Sequence, residues 1–223
     1  MGRASRLKNN PDRERYRIQR RETARVFQQR GEQYQSDVPF ETAVQKACVH
    51  EAGHIVASVA LGLHVTYAIV TAEQPPGYAY QIGGYTEVAL GEFRSAEEAQ
   101  AVDKDPETLR MPAVKEVAGQ IAESFNHDDL DDIRKGATDD DEFASKCALV
   151  TLRKPDGSWP DELELQKSVN AYLSARDTEA FELLKPRRVA INRVANYLMT
   201  HLNDEVLGAT LAALVHDEET TSE

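Results

Sequence analysis

The sequence predicts a mainly helical α+β domain in which a long helix stands beside a small β-sheet or hairpin. Three observations predict it. A helical pattern opens at Pro39 and Glu41 and runs to about Leu61, with Ala43, Ala47, His50, His54 and Ala57 along one side. The texture then changes, because residues 65–71 are β-branched and aromatic, as strands prefer. From Val114 to Phe125 apolar residues recur every three or four positions, the period of an amphipathic helix, and further helices are expected after it.

Each element has its local reason. Gly62 follows the first helix where a C-terminal cap belongs. Pro75, Pro76 and Gly77 break the first strand, and residues 84–90 read as a second strand, so 65–90 is a sheet or hairpin with a long tip. Residues 94–112 are acidic and read as a short helix or loop. Val114, Val117, Ala118, Ile121, Ala122 and Phe125 define an amphipathic helix. An acidic loop with Asp128, Asp129, Asp131 and Asp132 follows. Thr138 then opens a helix to about Leu152, with Thr138 and Asp141 spaced as in a capping box. A turn at 154–157 precedes helices expected near 160–174, 177–203 and 205–215.

The domain is expected over 37–216, with a basic arm over 1–36 and a frayed tail over 217–223. The net charge is −12, from 26 basic and 38 acidic residues. The arm holds ten Arg or Lys and four Asp or Glu, a net of +6, so the remainder carries −18. An acidic body argues against nucleic acid as the main ligand and leaves that role only to the arm. The longest apolar run, residues 55–63, is too short to span a membrane. The charged start has no apolar stretch behind it, so no signal peptide is expected. Cys48 and Cys147 are the only cysteines, and they fit small buried residues in a reducing cytoplasm.

The chemistry is concentrated in His50-Glu51-Ala52-Gly53-His54, a complete H-E-x-x-H on the first helix. Residues four apart lie on one helical face, so both imidazoles can reach one zinc ion. Glu51 lies about 100° around the helix, beside the ligands, where it can act as base toward a water on the metal. Gly53 adds weight, since a mid-helix glycine costs about 1 kcal/mol against alanine and needs a packing reason. This pattern points to a zincin-like metallopeptidase. A third protein ligand is required, and the pattern leaves it open among His64, Glu123, His127 and the run Asp139, Asp140, Asp141. His64 is disfavoured, at about 15 Å along the helix axis from His54.

The segment Ala47-Cys48-Val49-His50-Glu51-Ala52-Gly53-His54 resembles the zinc helix in the peptidase domain of FtsH-type ATP-dependent zinc proteases. Val65-Thr66-Tyr67-Ala68-Ile69 and Gly84-Tyr85-Thr86 are similar to that family's next two strands. Ala118-Gly119-Gln120-Ile121-Ala122-Glu123 is similar to its G-G-x-A-A-E helix, with Ala118 in place of the first glycine. Gly136-Ala137-Thr138-Asp139-Asp140 resembles its G-A-S-N-D segment. Leu183-Leu184, Arg188, Ile191, Val194-Ala195 and Leu198 resemble its C-terminal helix, with Leu207-Gly208 as the following turn. The resemblance covers about 40–216. It implies that Asp140 is the third zinc ligand and that Glu123 supports the ligands from behind. It also implies that the strand holding Gly84, Tyr85 and Thr86 pairs with substrate backbone.

That family carries an ATPase module, usually membrane helices, and usually forms hexamers. This chain has no G-x-x-x-x-G-K-[ST] phosphate loop. The expectation is therefore a zinc endopeptidase for flexible or unfolded polypeptides, working alone or with a separate unfoldase, and a homo-oligomer is possible. A catalytically silent, zinc-stabilised adaptor of the same fold is the alternative, and the presence of Glu51 argues against it.

Overall fold

In the computed structural model, residues 38–74, 80–89, 106–125, 138–152 and 160–217 are described. The basic arm, the acidic loop at 128–132, His127 and the tail after residue 217 lie outside them. The described residues form the expected mainly helical α+β fold, with six α-helices and one three-stranded antiparallel sheet. None of these helices is long and apolar enough to cross a membrane.

Helix α1 (Phe40–Ala60) is the axis of the fold. Its second half is not merely amphipathic, as the spacing suggested. Every residue from 48 to 58 is buried except His50, which is partly so. Small residues make this possible, because Ala52, Gly53, Ala57 and Ser58 let neighbours approach from all sides. The helix ends in a Schellman motif. Gly62 N–H donates to Val59 O at 3.0 Å, Leu63 N–H donates to Ser58 O at 2.8 Å, and Gly62 adopts φ +74°.

Strand β1 (His64–Glu73) leaves this cap and pairs antiparallel with β2 (Gln81–Ala89), from His64↔Ala89 to Glu73↔Gln81, with a register slip between Val65 and Tyr67. Both strands are longer than the β-branched runs suggested. Hydrogen bonding carries the ladder through Glu73 and Gln81, where residue type gives no strand signal. Helix α2 (Pro106–Ser124) starts earlier than expected and runs through Pro112. It is followed by α3 (Thr138–Leu152), whose bounds match the sequence reading.

The C-terminal half departs from expectation in two places. A break near residues 174–177 is absent, and α4 (Glu162–Leu184) is continuous. The break falls instead at Pro186, inside a 3₁₀ turn at Lys185–Arg187, before α5 (Arg188–Met199). Proline lacks the N–H that would continue the ladder, whereas residues 174–177 contain no breaker. The expected helix at 205–215 begins only at Gly208. Val206–Leu207 form β3, which pairs with the other edge of β1 at Tyr67↔Leu207 and Ala68↔Val206, and α6 (Gly208–His216) follows. The sheet order is β2-β1-β3. Asn203, at φ 69°, prepares this edge. Its backbone N–H donates to Val70 O at 2.8 Å, and its side-chain amide bonds both polar groups of Ala72.

The main core joins α1, the sheet, α2, α5 and α6 through Ile55, Val56, Val70, Val114, Ile191, Leu198 and Leu211. A smaller cluster of Leu109, Ala113, Cys147 and Val150 holds α2 against α3. Both thiols are buried and free, and burial pushes Cys48 and Cys147 up to about 12.

Gly53 sets the spacing of α1 and α2. A Cβ there would lie 2.5 Å from Ala118 O and 2.6 Å from Ala122 Cβ, and two helix backbones cannot easily give way. Overpacking of this kind costs about 1–3 kcal/mol, more than the roughly 1 kcal/mol that alanine gains in helix propensity. Gly53→Ala is therefore expected to lower Tm by a few degrees in a calorimetric melt. An unchanged or raised Tm would show that propensity wins.

Candidate metal centre

Three elements bring polar groups together inside this core. Helix α1 presents His50 and His54 one turn apart, α2 lies behind them, and the first turn of α3 supplies Asp140. Each imidazole is held by its Nδ1. His54 Nδ1–H donates to Lys115 O at 2.7 Å, and His50 Nδ1–H donates to Glu123 Oε1 at 2.6 Å. A carbonyl or an ionised carboxylate only accepts, so each Nδ1 keeps its proton, and Nε2 is the atom of each ring left to offer a lone pair to a metal.

Those lone pairs converge. His50 Nε2 and His54 Nε2 are 2.9 Å apart, and Asp140 Oδ2 lies 2.8 Å from the first and 3.4 Å from the second. Three acceptors this close repel one another unless a cation or a proton lies among them. Two imidazole nitrogens and a carboxylate are a zinc donor set. Zinc at about 2.0–2.2 Å from each donor needs donor separations of roughly 3.3 Å. The two short separations must then widen by about half an ångström, within the reach of side-chain adjustment. The donor set fits the ion.

A proton relieves the repulsion in the metal-free chain. Burial works against charge on His50, yet the hydrogen bonds to Asp140 and Glu123 and the nearby Glu51 push it up to about 10. Burial alone would raise Asp140, but the charge of His54 and the hydrogen bonds from both imidazoles hold it well below the usual carboxylate range.

Glu51 stands beside the triangle. One of its oxygens and a ring nitrogen of each histidine lie within 4.8 Å of one another. Its other contact is fixed, since Thr86 Oγ1–H donates to Glu51 Oε2 at 2.6 Å in a buried setting. Two glycines make the room. A Cβ on Gly84 would overlap the Glu51 carboxylate, and one on Gly119 would lie 2.5 Å from His50 Nε2.

Of the sequence candidates, His50, Glu51, His54, Asp140 and Glu123 come together. Gly84, Tyr85 and Thr86 lie on β2, whose Thr86 side chain turns inward to Glu51. His64 opens β1 with an exposed side chain and is in neither donor cluster. The side chains of Asp139 and Asp141 lie outside the described residues, as does His127. Sequence reasoning passed over Lys115 and Glu116. Lys115 is buried, and its ammonium bonds Glu116 Oε1 at 3.0 Å. Glu116 forms a second potential donor group with His54 and Asp140. A signal was present, because Glu116, Gly119 and Glu123 follow at helical spacing along one stripe of α2.

Compared with protein-family models and with curated proteins, the sequence matches none.

The raised His50 has consequences with opposite signs. In the metal-free chain it contributes stability that is fully present below its unfolded value near 6.5 and lost as pH rises through about 10. The depressed Asp140 contributes stability above its unfolded value near 3.8 that is lost as pH falls. Metal, however, must displace the His50 proton. Zinc affinity measured by chelator competition is expected to rise about tenfold per pH unit between about pH 7 and 9. A flat profile would show that no proton leaves the ligands.

Proposed function

We propose that the chain is a zinc-dependent endopeptidase for flexible or unfolded polypeptides, with His50, His54 and Asp140 holding zinc and Glu51 as the base. The observation that carries this reading is the acceptor triangle with an oriented carboxylate beside it. A structural zinc site needs four protein ligands and no base, whereas a hydrolytic one needs three ligands and a base.

When bound, zinc supplies Lewis acidity toward a water and toward the scissile carbonyl oxygen. The protein supplies the rest. Glu51 accepts the proton of the attacking water and returns it to the leaving amine. Thr86 occupies Oε2 and fixes the plane of the carboxylate, so that Oε1 is left to handle the proton. Glu123 and the Lys115 carbonyl hold the rings in the tautomer that binds metal.

β2 ends the sheet order, and among the described residues no strand pairs with its outer side. We assign the stretch Gly84, Tyr85 and Thr86 to substrate backbone pairing, which draws on main-chain hydrogen bonds and suits a low sequence preference. The resemblance to FtsH-type peptidase domains supports the same assignment. Two buried, free thiols fit a reducing cytoplasm, and a separate unfoldase would supply unfolded chains to a peptidase of this kind.

Fluorescent casein tests the reaction. Cleavage is expected to stop with chelator and return with zinc. Glu51→Gln is expected to keep zinc and lose about a thousandfold in kcat. A zinc-loaded native chain that leaves unfolded casein intact would refute the reading. Thr86→Val is expected to lower kcat roughly tenfold with KM and zinc content unchanged, and Thr86→Ser to restore it. If Thr86→Val is as fast as the native chain, Thr86 does not position the base.

A further inference from the structure

The residue pair that no motif announced, Lys115–Glu116, lies against the metal ligands. A Glu116 oxygen, a His54 ring nitrogen and an Asp140 oxygen lie within 4.8 Å of one another. Glu116 is therefore close enough to complete a set of four protein donors by side-chain rotation alone. A buried carboxylate facing a divalent cation is strongly drawn to it, and four protein donors would close the site to water.

What opposes this is Lys115. Its Nζ donates to Glu116 Oε1 at 3.0 Å, with side-chain exposures of only 10% and 13%. A buried ammonium and a mostly buried carboxylate each need the other, because removing one partner leaves a poorly compensated charge. Lys115 is itself anchored, since its carbonyl accepts the Nδ1–H of the ligand His54. One residue thus orients a metal ligand with its backbone and restrains a carboxylate with its side chain.

We propose that Glu116 is a reserve fourth zinc ligand and that Lys115 holds it off the metal, keeping one coordination position open. The inference rests on the zinc reading above and concerns coordination, so it is tested by metal binding rather than by peptide cleavage. The Lys115–Glu116 pair acts as a strap. With the ammonium in place the centre is open and hydrolytic. Without it, Glu116 loses its ammonium partner and is drawn to the metal, and the centre becomes closed and structural.

The full chain loaded with cobalt(II) provides the test, with azide as a probe of the open position. In the native protein azide is expected to shift the visible d–d spectrum. In Lys115→Met it is expected to have no effect, and zinc affinity by chelator competition should rise at least tenfold. Simple loss of a repelling charge would also tighten binding, but would leave the azide response intact, and that result overturns the proposal. The double variant Lys115→Met/Glu116→Gln should regain the azide shift. Glu116→Gln alone guards against failure of Lys115→Met to fold. It should keep the native cobalt spectrum, and a changed spectrum would mean that Glu116 already ligates, which also overturns the proposal. A native chain that binds neither cobalt nor zinc would remove the metal centre itself and this inference with it.

Discussion

Three lone pairs turned toward one point are the constraint around which this fold is organised. His50, His54 and Asp140 could not be packed so closely in an apolar core without something positive among them. Each neighbouring feature enforces the convergence. Glu123 and the Lys115 carbonyl fix the rings from behind, and the core around Ile55 and Val114 holds α1 against α2. A proton on His50 satisfies the triangle without metal, and on the zinc reading proposed above the same groups are the ligands, already gathered. Preorganisation of this kind lowers the cost of binding, because the ligands are ordered before the ion arrives.

Small residues do what large ones cannot do here. Gly53 lets the helix bearing the histidines lie against α2, so that side chains on α2 can reach the rings. Gly84 and Gly119 leave space directly over Glu51 and His50. The sheet contributes through Thr86, which ties Glu51 to β2, the strand proposed to pair with substrate. Local packing, electrostatics and proposed recognition thus meet within a few residues of β2 and α2.

Much of this was legible in the sequence, and the reasons are specific. The first helix and its end could be read because H-E-x-x-H has a fixed helical period and Gly62 marks a left-handed cap. α3 could be read from the capping-box spacing of Thr138 and Asp141. The resemblance to a known family singled out Asp140 and Glu123, which periodicity alone left among several candidates. Where reading failed, the cause was tertiary. β3 is two residues long and exists only because β1 offers an edge, so no local signal announces it. The break at Pro186 was missed although proline is a strong signal, because apolar spacing continues across it. Lys115 and Glu116 look like ordinary surface charges in sequence. Lys115 is buried and Glu116 partly so through tertiary packing, which sequence periodicity does not report.

Anomalous scattering at the zinc edge, from crystals grown with one equivalent of zinc, addresses the central claim most directly. The account predicts a single strong peak about 2.0–2.2 Å from His50 Nε2, His54 Nε2 and an Asp140 carboxylate oxygen, with Glu51 beyond bonding distance. A peak elsewhere, or one ligated by Glu51 in place of Asp140, would contradict it.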